Sequence, residues 1–463
     1  GFQNNGETGK LIHGLLGWNK LIPESMAMYQ AGRPTFRFTA KPAPEARLWM
    51  LEGFAGGIQP WWHHLGAFQE DRRAFHTAEP VMRWHRANEQ YLLNRLPIGT
   101  VGVVWSQQNT DFYGRDDVDV FVEQPWRGMT QALIRARIPY LPVHADHIER
   151  DATQFSALIL ANVGAMTDAQ VASVRKFVQN GGGLLATGES SLFDEWGEPR
   201  GDFALADLFG AHVSEKLPAV DARNHRRTIA ETQHSFLRLM LSTEPTRIGN
   251  LENFAAQGSV PKHNSVLAGF EETDLLPFGG ILRPLQLDPN TEVPLTFVPP
   301  FPVYPPESVW MRQPATDIPG LILRETQPRG RVAFLPADLD RRFARDNLPD
   351  HGNLLANLVR WVARDDIPLS VKGPGLIDCH LYRQSRRLIL HIVNLTNAGT
   401  WRTPVDELVP IGPFQIRVAL PSNVRARSLQ LLVSDTKQRL RPSDRRVDFE
   451  IKSILDHEVA VLS

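Results

Sequence analysis

The chain has 463 residues, 42% of them hydrophobic and 22% charged, with a formal net charge of -1. A chain of this length holds about two to four domains. Its near-neutral balance excludes a global field that would recruit nucleic acid or acidic lipid. The single cysteine, Cys379, excludes an internal disulfide framework and a cysteine-rich zinc site. No apolar run approaches the ~20 residues of a bilayer span, so neither a membrane nor a nucleic acid is expected as partner. The chain opens on Gly1 instead of Met, and its start therefore says nothing about targeting or compartment. The 11 tryptophans are a resource for flat ligand surfaces.

In chain order, Phe2 to Glu7 reads as a strand end running into a polar loop. Lys10 to Tyr29 is helical in pattern, with a break at Pro23. Thr35 to Thr39 alternates and predicts a short strand. Pro44 and Glu45 open a helix through Phe54, because proline suits a first turn and an acid favours the positive end of the dipole. Gly56-Gly57 closes it. Ile58 to His64 predicts a strand that runs into a loop, and Asp71 to Leu93 a long helix. This alternation fits the last third of a barrel whose strand ends carry the chemistry. Residues 1–97 are thus expected to be the C-terminal part of a (β/α)8-like barrel.

From Ile98 the rhythm is clearer. Ile98 to Trp105, Phe155 to Asn162 and Leu184 to Thr187 are apolar runs. Trp126 to Arg137 is helical, and Thr167 to Asn180 is an amphipathic helix closed by Gly181-Gly182-Gly183. This is the strand–helix–strand order of a doubly wound sheet. Residues 98–370 are expected to form a flavodoxin-like parallel α/β domain with an insertion over 211–319. A hairpin of Gly320–Glu325 and Gly330–Pro336 and a helix over Asp350–Val362 complete it. Beyond Val371, alternating strands at Ile377–Tyr382, Arg387–Asn394, Phe414–Leu420, Ala426–Val433, Val447–Ile451 and His457–Leu462 predict an all-β sandwich over 371–463. The expected class is α/β, with a partial barrel, a parallel α/β domain and a C-terminal sandwich.

Gln59, Trp61, Trp62, His63 and His64 are the foremost ligand candidates: tryptophan faces stack on sugar rings, and histidines bond hydroxyls. A buried aromatic plug is the competing reading. Glu7 and Glu24 are the carboxylates near the other presumed strand ends. A lone carboxylate carries little weight without a partner, and Glu7 also reads as a solvated loop residue. Glu24 also reads as the start of a turn after Pro23, and Glu52 falls inside a helix. His144-Ala-Asp146-His147 has metal-ligand spacing, but no third ligand converges on it, so no metal is expected. Gly188-Glu189-Ser190-Ser191 departs from a nucleophile elbow because Leu192 occupies the final glycine position. It reads as a turn. Trp105, Asn109, Asp111 and Tyr113 form a polar–aromatic loop that is open to a ligand or a surface reading. Phe301 to Trp310 reads as an interface or inter-domain strap.

Val101-Gly-Val-Val-Trp-Ser106, Phe155-Ser-Ala-Leu-Ile-Leu-Ala-Asn162 and Val174-Arg-Lys-Phe-Val-Gln-Asn-Gly-Gly-Gly-Leu-Leu-Ala-Thr187 carry a resemblance. Gly330-Arg-Val-Ala-Phe-Leu-Pro336 and Leu388-Ile-Leu-His-Ile-Val-Asn394 extend it. The chain resembles the C-terminal part of glycoside hydrolases related to family 42 β-galactosidases. Its middle is similar to their trimerisation domain, which shares the fold of class I glutamine amidotransferases. The resemblance implies a carbohydrate ligand, hydrolysis of O-glycosyl bonds by paired carboxylates, no cofactor and a homo-oligomer, with a trimer as its form. It also implies an aromatic sugar lining at Trp61 and Trp62, and a site-shaping or subunit-contact role for the loop of Trp105, Asn109 and Asp111.

Two departures matter. The family carries its nucleophile at the end of the seventh barrel strand, and the candidate, Thr35–Thr39 followed by Ala40-Lys41-Pro42, has no carboxylate. The acid/base glutamate belongs to a fourth strand that this chain lacks. The catalytic pair is therefore incomplete, with Glu7 and Glu24 as the remaining candidates. The alternative is a non-catalytic oligomerisation or carbohydrate-binding module. An amidotransferase-type hydrolase is set aside for want of a nucleophile.

Overall fold

The computed structural model of the chain describes residues 3–25, 29–30, 36–61, 70–214, 231–240, 264–289, 291–397, 399 and 401–463. The chain divides into two compact units. One comprises Gly1–Thr100, Arg137–Pro142 and Ile367–Ser463; the other comprises Val101–Ala136 and Val143–Asp366.

The first unit opens with helix α1, Asn4–Leu16, not with a strand end. Strand β1, Pro23–Ser25, follows. The helical pattern expected through Tyr29 thus stops at Leu16, since a three-residue strand is too short to print a period of its own. Strands β2, Tyr29–Gln30, and β3, Phe36–Ala40, pair antiparallel as a ribbon. Helix α2, Ala43–Ala55, has proline in its first turn and Gly56 at its C-cap. Strand β4, Gln59–Trp61, comes next, and helix α3, Arg73–Leu92, follows it. β1 and β4 pair in parallel, with Glu24 opposite Pro60 and Ser25 opposite Trp61. Parallel neighbours need a crossover, and α2 supplies it. The partner of β4 is therefore β1 and not the expected strand at 35–39, whose described residues, 36–39, pair with β2 in the separate ribbon. α1 and α2 touch through glycine, because a Cβ on Gly56 would lie 2.1 Å from the Gly6 carbonyl oxygen.

The same unit holds the sandwich. Its larger sheet runs Thr436–Arg439, Ser428–Leu431, His457–Leu462, Arg387–Asn394, Ile377–Gln384 and Leu96–Pro97; its smaller one runs Leu369–Lys372, Phe414–Ala419 and Arg446–Ile451. Cys379, Leu381, Leu390 and Ile392 meet Ile416, Val418 and Phe449 in the shared core. Burying apolar area at roughly 25 cal/mol per Å² makes this core the main source of the unit's stability.

Eight strands of a nine-stranded sheet lie wholly in the second unit. Val101–Trp105, Ala157–Leu160, Gly183–Thr187 and Gly330–Leu335 are parallel neighbours in that order. Pro319–Thr326, Glu292–Val298, Phe236–Leu239 and Leu275–Pro277 continue it antiparallel. The segment expected as an insertion thus lengthens the sheet itself. Helix Asp168–Gln179 starts with a capping box in which Thr167 and Gln170 exchange bonds. Gly183 is required by packing: a Cβ there would lie 2.0 Å from the Val362 carbonyl oxygen of helix Pro349–Val362. Among the described residues, no helix is long and apolar enough to cross a membrane.

Candidate functional site

β1 and β4 carry two of the sequence candidates on neighbouring parallel strands, where Glu24 and Trp61 lie one register position apart. The Trp61 indole is 56% exposed, so it is no buried plug. Gln59 is half-buried at the start of β4. Trp62, His63 and His64 lie outside the described residues. Glu7 does not belong to this pair. It sits in the first turn of α1, where its Oε1 accepts the Tyr140 hydroxyl at 3.1 Å.

The first unit also contains a buried polar layer that the sequence did not announce. Successive residues of a strand point to opposite faces. On Ile377–Gln384, Cys379 and Leu381 enter the sandwich core, which leaves Asp378, His380 and Tyr382 on the other face. There Tyr382 donates to the Ala55 carbonyl, and the Arg95 guanidinium lies 4.1 Å from its ring centroid. Arg95 also donates to the Phe54 carbonyl and bonds His391. Burial drives the His391 ring well below its ordinary range, and Arg95 adds to the effect.

Asp378 and His380 face Glu52 of α2. The His380 Nε2 is 3.1 Å from Asp378 Oδ2 and 3.7 Å from Glu52 Oε2. All three are buried, and Glu52 is 0% exposed. Neither Glu52 oxygen has a hydrogen-bond partner. Burial, then the Asp378 carboxylate, raises Glu52 to about 7. Burial also works against Asp378, but His380 and Lys10 outweigh it and hold this carboxyl below its usual range. Lys10 of α1 is lowered by burial, against the pull of Asp378 and Glu52, and its Nζ sits 4.4 Å from the Tyr140 ring centroid. The sequence signal was the polar alternation Asp378-Cys379-His380 inside an apolar strand. Glu52 alone gave none.

In the second unit the other candidates have structural work. Asn109 is buried; its Oδ1 accepts the Ala165 N–H at 3.1 Å and its Nδ2 donates to the Asn162 carbonyl at 3.4 Å. Asp111 is exposed and accepts from Gln107 at 2.9 Å. Trp105 meets the His144 ring edge-on at 4.8 Å. His144 Nδ1 accepts the Asp146 N–H at 3.2 Å, and Asp146 accepts from Gln170 at 2.7 Å, so this motif is spent on its own turn. Ser190 is fully buried and donates to the Thr187 and Leu160 carbonyls at 2.8 and 3.1 Å, which leaves no nucleophile there.

No family model matches the chain, and no curated protein matches it. Solved structures do. α-L-Fucosidase isoenzyme 2 from Paenibacillus thiaminolyticus is 16% identical over 92% of this chain and 58% of its own, with a TM-score of 0.64. The β-galactosidase from Bacillus circulans sp. alkalophilus is 13% identical over 100% and 58%, with a TM-score of 0.62. A catalytic mutant of a GH42 β-galactosidase from G. stearothermophilus gives 13%, 100%, 56% and 0.61. The chain shares the fold of the matched part of these structures. It spans little more than half the length of these relatives, between 56% and 58%.

Proposed function

We propose that the protein acts on a carbohydrate as a glycoside hydrolase, with Glu24 as nucleophile and Trp61 as a sugar-stacking platform. One observation carries this reading: the register that sets Glu24 and Ser25 of β1 beside Pro60 and Trp61 of β4. Barrel enzymes place their chemistry at such strand ends. A retaining glycosidase needs a second carboxylate about 5–5.5 Å from the first. The solved relatives are about 1.6–1.7 times as long as this chain, which spans 58% of each.

The test uses aryl β-galactosides and α-L-fucosides, the sugars named by the solved relatives. Both this chain and the longest native reading frame containing it are assayed. Glu24→Gln should lower turnover on the order of 10²–10⁴-fold, the scale of a participating proton-transfer or nucleophilic group. Azide should restore activity to Glu24→Ala if the carboxylate is the nucleophile. Full activity in Glu24→Gln would remove Glu24 from the mechanism. No turnover by either protein would remove the enzymatic reading.

The exposed Trp61 supports a second reading that needs no carboxylate pair: a carbohydrate-binding assembly module. Light scattering that finds a trimer, together with sugar binding but no cleavage, would favour it.

A further inference from the structure

Among the described residues, Glu52, Asp378 and His380 form the one group whose ligand atoms all lie within 4.8 Å of one another. They come from two elements. Asp378 and His380 are two apart on strand Ile377–Gln384, and so share one face of it. Glu52 reaches them from α2. Ligands bound at roughly 2.0–2.2 Å around a tetrahedral ion lie about 3.3–3.6 Å from each other. The separations His380–Asp378 and His380–Glu52, 3.1 and 3.7 Å, straddle that edge.

The second observation is the state of the donors. Glu52, Asp378 and His380 are 0%, 4% and 3% exposed. Both Glu52 carboxylate oxygens and both His380 ring nitrogens make no hydrogen bond, and the contacts of His380 Nε2 with the two carboxylates, at 3.1 and 3.7 Å, are ion pairs only. Buried carboxylates in folded proteins are paired, bonded or on a metal. Among the described residues, the cation beside them that is not itself a ligand is Lys10, whose Nζ lies over the Tyr140 ring. We propose that Glu52, Asp378 and His380 bind a divalent transition ion, with Zn²⁺ as the matching chemistry. One imidazole and two carboxylates suit Zn²⁺ and its first-row neighbours, and the set contains no sulfur. Cys379 lies between the ligands in sequence but faces the sandwich core. The ion would fasten α2 to the sheet, a structural staple whose binding energy is folding energy.

The full chain, stripped with chelator and dialysed against Zn²⁺, should retain one equivalent by elemental analysis. Its melting temperature should rise with Zn²⁺ concentration. Co²⁺ should give the visible bands of a low-coordinate N/O site. Glu52→Gln, nearly isosteric, should weaken Zn²⁺ at least about 10–100-fold, a range seen even for outer-shell changes. Cys379→Ala should leave stoichiometry unchanged. His380→Ala tests the same site but opens a hole in the layer, so Glu52→Gln is the deciding variant. The proposal is overturned if the wild-type chain retains no Zn²⁺, or if Glu52→Gln retains it with equal affinity. Either result makes the cluster an ionic network closed by Lys10.

Discussion

Glu189 of the second unit and Glu52 of the first are both buried carboxylates, yet their surroundings differ in kind. Glu189 Oε2 accepts the Tyr113 hydroxyl at 2.8 Å, Arg283 pairs with Oε1, and the Glu189 N–H donates to Asn162 Oδ1 at 2.8 Å. Asp338 of the same unit accepts from the Ile281 N–H at 2.8 Å and from Arg341 Nε at 2.6 Å. Glu52 has no hydrogen-bond partner on either oxygen and a like charge, Asp378, beside it. A satisfied buried network fixes one conformation, whereas an unsatisfied one marks where a further group belongs. The strand-end loop that would hold an amidotransferase-type nucleophile is therefore locked shut. Open valences lie in the layer between α2 and the sandwich instead.

The comparison breaks first at Glu189. Glu189→Ala leaves the Arg283 guanidinium and the Tyr113 hydroxyl without their carboxylate in a buried site. Removing one partner of a buried pair costs about 3–5 kcal/mol, and the urea midpoint should fall accordingly. A loss under about 1 kcal/mol would mean that Glu189 is solvated and that its loop is free to move.

The first unit should lose stability in acid. Burial, then Arg95, pushes His85 of α3 down to about 4, and its ring packs 4.6 Å from Phe54. An unfolded histidine takes its proton near pH 6.5. The unfolded chain thus binds the proton first, and the stability that neutral His85 contributes is lost as pH falls from about 6.5 to about 4. His391, whose pKa His85 and Arg95 both depress, adds to the same slope. The contribution of His85 is on the order of 1–3 kcal/mol. The gap between denaturation midpoints at pH 7 and pH 5 should narrow in His85→Phe, which leaves Arg95 and His391 in place. An unchanged slope would locate the acid sensitivity elsewhere.

What was legible in the sequence was local. The helix Asp168–Gln179 could be read from its polar start and its glycines because capping and glycine stops act within one turn. The sandwich strands could be read because they alternate. β1 could not be read, because its three residues gain their meaning only from the β4 backbone beside them. The same blindness hid Glu52. Inside α2 it looks like any helical acid, and it becomes a site only when strand Ile377–Gln384, from the far end of the chain, delivers Asp378 and His380. The segment read as an insertion contributes strands whose pairing is with Pro319–Thr326 and with one another, and no window of sequence contains both sides of such a pair.

The smallest stability effect should belong to the residue with the most functional weight. Trp61 is 56% exposed at the end of β4, and surface substitutions usually stay within about 0.5 kcal/mol. Trp61→Ala should therefore melt like the parent while its sugar binding, read by calorimetry, falls. Trp105 offers the contrast, since its ring is held edge-on by His144. Trp105→Ala should lower stability by about 0.5–1.5 kcal/mol and leave sugar binding alone. If Trp105→Ala weakened binding and Trp61→Ala did not, the ligand surface would lie on the second unit's sheet, and the β1–β4 register would lose its claim to the site.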